Sequence, residues 1–318
     1  MTSVEGAAPR MSIVIVNYRT PEITCDCLAA VKRHVAPGTH QLIVVDNASG
    51  DDSIARIGAA HPDIDLIGAQ ANQGFGAGNN LGVAAAVAPY LILLNSDALL
   101  RSDAPNRMVD FLEANPDISC LGPRIDLPDG TRQPKVCGHR PSPWRAIMQS
   151  VGLSRLSRWW RGFDGIDSEG ISQRVTRVGW ISGVCMAMRT ADYRAIGGFD
   201  AGFFMYCEDI DLCMRLQRQF GAVVHVDDWP VTHLGGASSP TIDKRVRNAV
   251  MQQRNLLTII GKEYGGGGSA ATRLGMLPGL CLRLGFGVAH FGRDENYLLH
   301  SSWARLLDSL GLWRGRED

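Results

Sequence analysis

Apolar and polar positions along this chain fall in blocks that alternate between strand-like and helix-like patterns. Residues 12–17, Ser-Ile-Val-Ile-Val-Asn, are a continuous β-branched run, the mark of a strand buried on both faces. Pro21 then opens a helical segment to about His34, with proline at a tolerated first-turn position. Residues 41–46 predict a second buried strand, followed by the turn-rich Asn-Ala-Ser-Gly-Asp-Asp. A helix through Ser53, Ile54, Ile57 and Gly58 comes next, then a short strand over 65–68. Asn72 to Gly82 holds four glycines in eleven residues and leads into an Ala-rich helix. Tyr90 to Asn95 predicts another strand, ending at Asn95-Ser96-Asp97. Strand and helix thus alternate from residue 12 to about 114, which predicts an α/β fold with a parallel sheet.

The pattern weakens from about 124 to 176. Arg124, Arg132, Lys135, Arg140 and Arg145 make a basic stretch there, either a solvated surface loop or a lid touching phosphates. Gly179 to Arg189 is apolar again and returns to the sheet. An aromatic-rich loop then precedes an amphipathic helix beginning near Glu208-Asp209. Residues 222–226 predict a short strand, followed by Val231-Thr-His-Leu-Gly-Gly. Residues 243–262 predict one amphipathic helix, and Gly265–Gly268 a flexible linker. Leu274 to Gly292 is apolar but interrupted by Pro278, Arg283 and several glycines, too broken for a membrane span. The whole tail from Ala270 to Asp318 either packs on the domain or lies at a membrane surface.

Composition narrows the picture. With 318 residues, 45% hydrophobic and 20% charged, the chain has ample core for one large domain or one domain plus an extension. Lys+Arg and Asp+Glu balance at 32 each, so no global charge argues for nucleic acid. The eight cysteines are scattered without zinc-ligand spacing, which predicts free thiols in a reducing cytoplasm. Residues 1–10 lack an apolar core, so they predict a disordered tail rather than a signal peptide.

In parallel α/β sheets, ligands bind beyond the carboxyl ends of the strands. Asn17, Asp46 and Asp97 all fall at strand ends and should line one edge. Asp46 offers an acceptor for the N3–H of a uracil or thymine ring. The Gly-rich Asn72–Gly82 segment permits close backbone approach to a nucleotide, although neither GxGxxG nor GxxxxGK[ST] spacing occurs. Asp97 suits a hard divalent cation shared with phosphate oxygens. His233 either completes that shell or is an ordinary hydrogen-bonded histidine. Glu208 and Asp209 lie beside bulky apolar residues, where a raised pKa and a general base are expected. Their alternative role is as first-turn acids favouring the positive end of the helix dipole.

Taken as an ordered set, five segments resemble glycosyltransferase family 2: Ile-Val-Asn-Tyr-Arg-Thr (15–20), Val-Val-Asp-Asn-Ala-Ser (44–49), Asn-Gln-Gly-Phe-Gly-Ala-Gly-Asn-Asn (72–80), Leu-Leu-Asn-Ser-Asp (93–97) and Gly-Gly-Phe-Asp (197–200). With Glu208-Asp209 and His233 added, the resemblance is to its bacterial rhamnosyltransferase-like branch and covers residues 11–262. It implies a GT-A fold: a mostly parallel central sheet flanked by helices, here with a helical C-terminal extension over 263–318. Residues 11–114 would be the nucleotide-binding half and 115–262 the acceptor and catalytic half. It further implies an inverting mechanism with Mg2+ or Mn2+.

Residue by residue, the resemblance makes Asp46 the base-reading acid, Asp97 the last acid of the Asp-x-Asp metal motif, Asp209 the general base and His233 a metal ligand. Asn17, Arg19, Asn72, Gly76, Asn80 and Asn95 fall among its donor-binding positions. Trp180, Gly183 and Glu208 fall near the transferred sugar and acceptor, and Arg254 near the diphosphate. One departure is Asn95, which stands where the motif has its first acid; it keeps an oxygen acceptor and drops a charge. The implied donor is dTDP-L-rhamnose, with a UDP-hexose or galactofuranose as the alternative, and the acceptor a glycan or lipid-linked saccharide. That places the enzyme in the cytoplasm at the inner membrane face, with the tail in peripheral contact. A non-catalytic nucleotide-sugar-binding protein is the remaining reading.

Overall fold

The computed structural model describes residues 8–156, 159, 165–167, 173–235, 241–289 and 293–313. Residues 1–7 of the expected N-terminal tail, and Gly236 after His233, lie outside these. Arg10, counted in that tail, is held: its N–H donates to the Thr39 carbonyl at 2.8 Å and its guanidinium reaches Asp110 and Glu113, each at 2.6 Å.

Two compact units emerge. The first takes the described residues of Met1–Gly138, Ser168–Phe204 and Glu208–Ala237; the second takes those of His139–Asp167, Met205–Cys207 and Ser238–Asp318.

In the first unit, β1 (Met11–Asn17) is buried at all seven positions, as its unbroken apolar run requires. It pairs in parallel with β2 (His40–Asp46) and β4 (Tyr90–Asn95), and β2 pairs in parallel with β3 (Asp65–Gly68). The connections are α1 (Pro21–His34), α2 (Ser53–Ala60) and α3 (Phe75–Ala84). After β5 (Ala98–Leu100) and α4 (Ala104–Ala114), the sheet grows by β6 (Ile118–Asp126), β8 (Val175–Val178), β10 (Cys185–Arg189) and β11 (Ala222–His233). The strand order is β3-β2-β1-β4-β10-β6-β11-β5, with β8 beside β11. β10 runs antiparallel to both its neighbours, and β11 returns parallel to β6. Between them lie α6 (Thr190–Ala195) and α7 (Glu208–Gln219), while β7 (Cys137–Gly138) and β9 (Trp180–Ile181) make a separate two-stranded ladder. Ile13, Ile15, Val44, Ile92 and Leu94 from the strands pack with Leu28 and Val31 of α1 and Met108 and Leu112 of α4 in one buried core.

Register sets the functional edge. Asn17 lies opposite Asp46 and Val16 opposite Asn95, so three strands end level with one another. The Gly-rich segment serves packing within the protein: a Cβ on Gly82 would lie 2.5 Å from Val14 Cγ1 and 3.1 Å from Val45 Cγ2. Gly74, at φ +96°, has no room for a Cβ against the Phe204 carbonyl.

The short strand expected over 222–226 is corrected to the twelve residues of β11. Asp227-Asp-Trp-Pro reads as a turn, yet it forms an irregularity inside one strand, with Trp229 at φ +52°. Pairing with β6 resumes at Val231–Ile125 and Thr232–Asp126.

In the second unit, α5 (Pro143–Ser150) and a single 3-10 turn, Leu153–Leu156, precede the helical segment α8 (Ile242–Ala289) and α9 (Arg293–Ser309). The flexible linker expected over Gly265–Gly268 is instead a one-residue break at Gly265, φ +73°. The chain folds back there, and Ser269 Oγ donates to the Leu257 carbonyl at 3.0 Å. Gln253 Nε2 donates to the Arg305 carbonyl at 3.0 Å, and Arg283 Nε to that of Ser150 at 3.0 Å, joining α8 to α9 and α5. Among the described residues no helix is long and apolar enough to cross a membrane.

Candidate active site

The ends of β1 and β2 build a buried polar corner. Asn17 is fully buried; its Nδ2 donates to Asp46 Oδ1 at 2.7 Å, and its Oδ1 accepts from Thr24 Oγ1 of α1 at 2.8 Å. Asp46 also accepts from the Ser49 hydroxyl at 2.5 Å and the Ser49 N–H at 3.0 Å. Arg19, at φ +58°, donates its N–H to Ser49 Oγ and its Nε to the Ser49 carbonyl, both at 2.9 Å. Asn47 donates to Asn72 Oδ1 and the Gly74 carbonyl at 3.0 Å each, and so connects the Gly-rich loop to β2. Ser49 and Asn47 join this corner beside the residues expected from sequence. Their signal was the turn-forming Asn-Ala-Ser directly after a buried strand.

Asn80 and Gly76 face the 197–200 loop. Asn80 Oδ1 accepts from Tyr193 Oη at 2.5 Å and the Phe199 N–H at 2.9 Å, while its Nδ2 donates to the Phe199 carbonyl at 2.9 Å. A Cβ on Gly76 would meet Phe199 Cβ at 2.9 Å. The same loop is tied to α7 by Arg215, which donates to the carbonyls of Ile196 and Gly198 at 2.9 and 2.7 Å and pairs with Asp211 at 2.7 Å.

Beyond β4 the ladder between β5 and β11 does the assembly. His233 lies opposite Ala98, and the Leu234 N–H donates to the Asp97 carbonyl at 2.9 Å. This pairing sets His233 Nε2 3.0 Å from Asp97 Oδ1. The other ring nitrogen, Nδ1, is 2.8 Å from Gln133 Oε1, a contact between residues a hundred positions apart in sequence. Asn95 Oδ1 is buried without a hydrogen-bond partner among the described residues, while its N–H donates to the Val184 carbonyl at 2.9 Å. Asp97 and His233 set a carboxylate and an imidazole side by side, and Asn95, two residues before Asp97, carries an unpartnered amide oxygen; these donor types fit a divalent cation sharing phosphate oxygens. Among the described residues no group of three or more His, Cys, Asp or Glu side chains could hold an ion unaided.

Asp209 opens α7 with Glu208 and Asp211, three acids in a first turn where the helix dipole favours them. Its Oδ2 accepts from the Gly183 N–H at 3.2 Å and its Oδ1 from the Ile210 N–H at 2.8 Å. Burial pushes the Asp209 carboxyl up to about 6, against the lowering effect of those two donors. Glu208 is more strongly affected: burial, and then the charge of Asp209, push it up to about 8. The two are coupled and titrate as a pair. Glu208 Oε2 and Trp180 Nε1 are buried without protein partners among the described residues. Gly183 packs closely under Phe75, where a Cβ would sit 3.1 Å from Cε1.

Every expected site residue except Arg254 belongs to the sheet unit. Arg254 belongs to the helical unit, where its Nε donates to the buried Asp308 at 2.7 Å. In the basic stretch, Arg124 pairs with Asp126 and Arg132 with Asp227, each at 2.7 Å.

Residues 12–168 match the family described as Glycosyl transferase family 2. These residues are a glycosyltransferase family 2 domain. The chain is 28% identical over 206 residues to an N-acetylglucosaminyl-diphospho-decaprenol L-rhamnosyltransferase of Mycobacterium tuberculosis, covering 60% of this chain and 66% of that protein. It is 25% identical over 213 residues to the low-salt glycan biosynthesis hexosyltransferase Agl10 of Haloferax volcanii, covering 66% and 62%. The chain thus spans slightly less than two thirds of the length of both relatives. The fold is similar to that of the mannosyltransferase PcManGT from Pyrobaculum calidifontis, solved with GDP-Man and Mn2+, at a TM-score of 0.58 and 13% identity over 95% of this chain and 88% of that one. The architecture is GT-A.

Proposed function

We propose that the family 2 domain is an inverting, divalent-metal-dependent transferase that moves L-rhamnose from dTDP-L-rhamnose to a hydroxyl of a lipid-linked saccharide. The observation that carries this reading is the pairing of Asp97 with His233 at 3.0 Å in the same unit as an elevated carboxyl, Asp209. Asp97 and His233 would hold the cation, with Asn95 Oδ1 beside them in the motif. When bound, that cation neutralises the charge growing on the departing diphosphate.

The chain's own residues account for the rest. Asp46, with Asn17 and Arg19 around it, reads the pyrimidine, and Asn72 shapes the loop beside it. Asp209 accepts the proton of the acceptor hydroxyl as the new oxygen–C1 bond forms and the C1–O bond to the diphosphate breaks. Trp180, Gly183 and Glu208 take the sugar side. Trp180 Nε1 and Glu208 Oε2 lack protein partners, and a sugar hydroxyl would supply them.

The Mycobacterium relative's name supports the rhamnosyl donor and a polyprenyl-diphosphate-linked acceptor. A second reading is a hexosyltransferase, supported by the Haloferax relative's name; its donor would be a UDP-sugar. A panel of dTDP- and UDP-sugars with Mn2+ or Mg2+, scored for nucleotide release, separates the two. Release from dTDP-rhamnose is expected; release from a UDP-sugar alone would move the donor assignment.

A further inference from the structure

The part of α8 that follows the break at Gly265 has apolar residues on both of its sides. On the inner side Thr272, Met276 and Leu280, spaced four apart, are 0%, 2% and 0% exposed. Two glycines let the helix approach α5: Gly275 has no room for a Cβ against Ile147, and a Cβ on Gly279 would lie 2.5 Å from the Ser150 carbonyl carbon. On the outer side the exposed residues between 271 and 285 are Ala271, Leu274, Pro278, Cys281, Leu282 and Gly285. Leu274 is 65% and Leu282 55% exposed. At about 100° per residue all six fall on one stripe about 100° wide. None of them is charged, whereas the outer face of a helix that meets water is normally charged and polar.

Charge sorts with the same unit. The helical unit holds 16 Lys and Arg against 9 Asp and Glu, and the sheet unit 16 against 23. A chain neutral as a whole therefore places a positive surplus on its helical part. Residues 139–163, which include α5, and residues 264–289 together hold seven arginines and no acid. Of these, Arg273 and Arg283 of α8 are half-buried beside the stripe, and Arg283 also donates to the Gln149 carbonyl at 2.9 Å. α5 adds Trp144, 54% exposed, a residue type that favours the headgroup level of a bilayer.

We propose that this stripe is a docking surface for an anionic lipid bilayer: the helix lies in the headgroup plane, Leu274 and Leu282 insert, and the neighbouring arginines meet lipid phosphates. A second copy of the chain is the poorer occupant, because two such faces would set arginines against arginines with no acid to pair them. An anionic bilayer supplies an apolar phase for the leucines and a counter-charge for the arginines. Docking of this kind needs neither donor nor acceptor and stands apart from the transferase reading.

The test is flotation of the full chain with vesicles of phosphatidylcholine alone and of equal parts phosphatidylcholine and phosphatidylglycerol, beside sedimentation velocity without lipid. The wild type should float with the anionic vesicles, and less so as salt is raised. Leu274→Asp with Leu282→Asp should lower partitioning by about 10–100-fold in protein with a wild-type circular dichroism spectrum. Arg273→Gln should lower it by about fivefold on the anionic vesicles. Val87→Asp, at a site of the sheet unit that is 71% exposed, should leave it unchanged. Absence of wild-type flotation, equal flotation with both vesicle types, or undiminished flotation of the double variant would each overturn the proposal. So would an equal loss in Val87→Asp. A lipid-free dimer that the double variant separates into monomers would give the stripe to a second copy and overturn it too. None of these outcomes bears on the transferase reading, since no donor, metal or acceptor is present.

Discussion

The Gly183 N–H donates to Oδ2 of Asp209 at 3.2 Å, so a loop between β9 and β10 grips the first turn of α7 across twenty-six residues of sequence. The bond fixes where the carboxylate points and partly offsets the effect of burial on its pKa. Burial raises Asp209 to about 6, and a base must be ionised to work. Turnover should therefore climb as pH rises through about that value and then level off, with the limb shaped by coupling to Glu208. The pH–rate profile of nucleotide release, measured from pH 5 upward at saturating donor, checks it.

Glu208 gives a stability signature with a definite sign. Its ordinary value is 4.5 and burial raises it to about 8 in the folded chain. Below the lower value both states are protonated and nothing changes with pH. Between the two values the unfolded chain releases a proton that the folded chain keeps, so stability falls as pH rises, and it levels off above the upper value. Urea denaturation of Glu208→Gln across this window should show less loss of stability with rising pH than the wild type; Asp209, and the histidines His40, His61 and His225 whose pKa burial lowers, account for the slope that remains.

Metal removal and loss of Asp97 should act alike. EDTA should abolish nucleotide release, and Mn2+ should restore it. Asp97→Asn should reduce turnover by about 100-fold or more, since a cation stabilises several kcal/mol of developing charge. If Asp97→Asn kept wild-type metal dependence, the cation would be held elsewhere.

The Gly-rich loop makes a packing prediction. Gly82→Ala, in α3, would drive a methyl group to 2.5 Å from Val14 Cγ1 of β1 and 3.1 Å from Val45 Cγ2 of β2. We expect a loss of about 1–3 kcal/mol in unfolding free energy, read by chemical denaturation. At Gly50, positive φ but open space around the Cβ position predicts a smaller cost, of about 1 kcal/mol, from backbone strain alone.

Much of this was legible from the chain. Strands β1, β2 and β4 are buried on both faces, so their apolar runs could not be mistaken for surface, and their shared polar ends marked Asn17, Asp46 and Asp97. The second half was harder to read because its contacts are long-range. Asp227-Asp-Trp-Pro looks like a turn from local propensity, and only pairing to β6 and β5 shows that the strand runs through it to His233. The glycines of 74–82 suggest approach to a nucleotide, and what the sequence does not show is that Gly74 and Gly82 are also required by packing against Phe204, Val14 and Val45. Gly265–Gly268 looked like a linker because four glycines lower helix propensity, yet helix resumes directly after Gly265. Nothing in local sequence pointed from Gln133 to His233.

The account rests most heavily on Asp209, and one paired measurement tests it most directly. Metal-dependent nucleotide release from dTDP-rhamnose should fall by about 10²–10⁴-fold in Asp209→Asn, while calorimetry shows donor binding in Mn2+ within a few-fold of wild type. Release at the wild-type rate by Asp209→Asn, with donor bound as tightly, would contradict its role as the base.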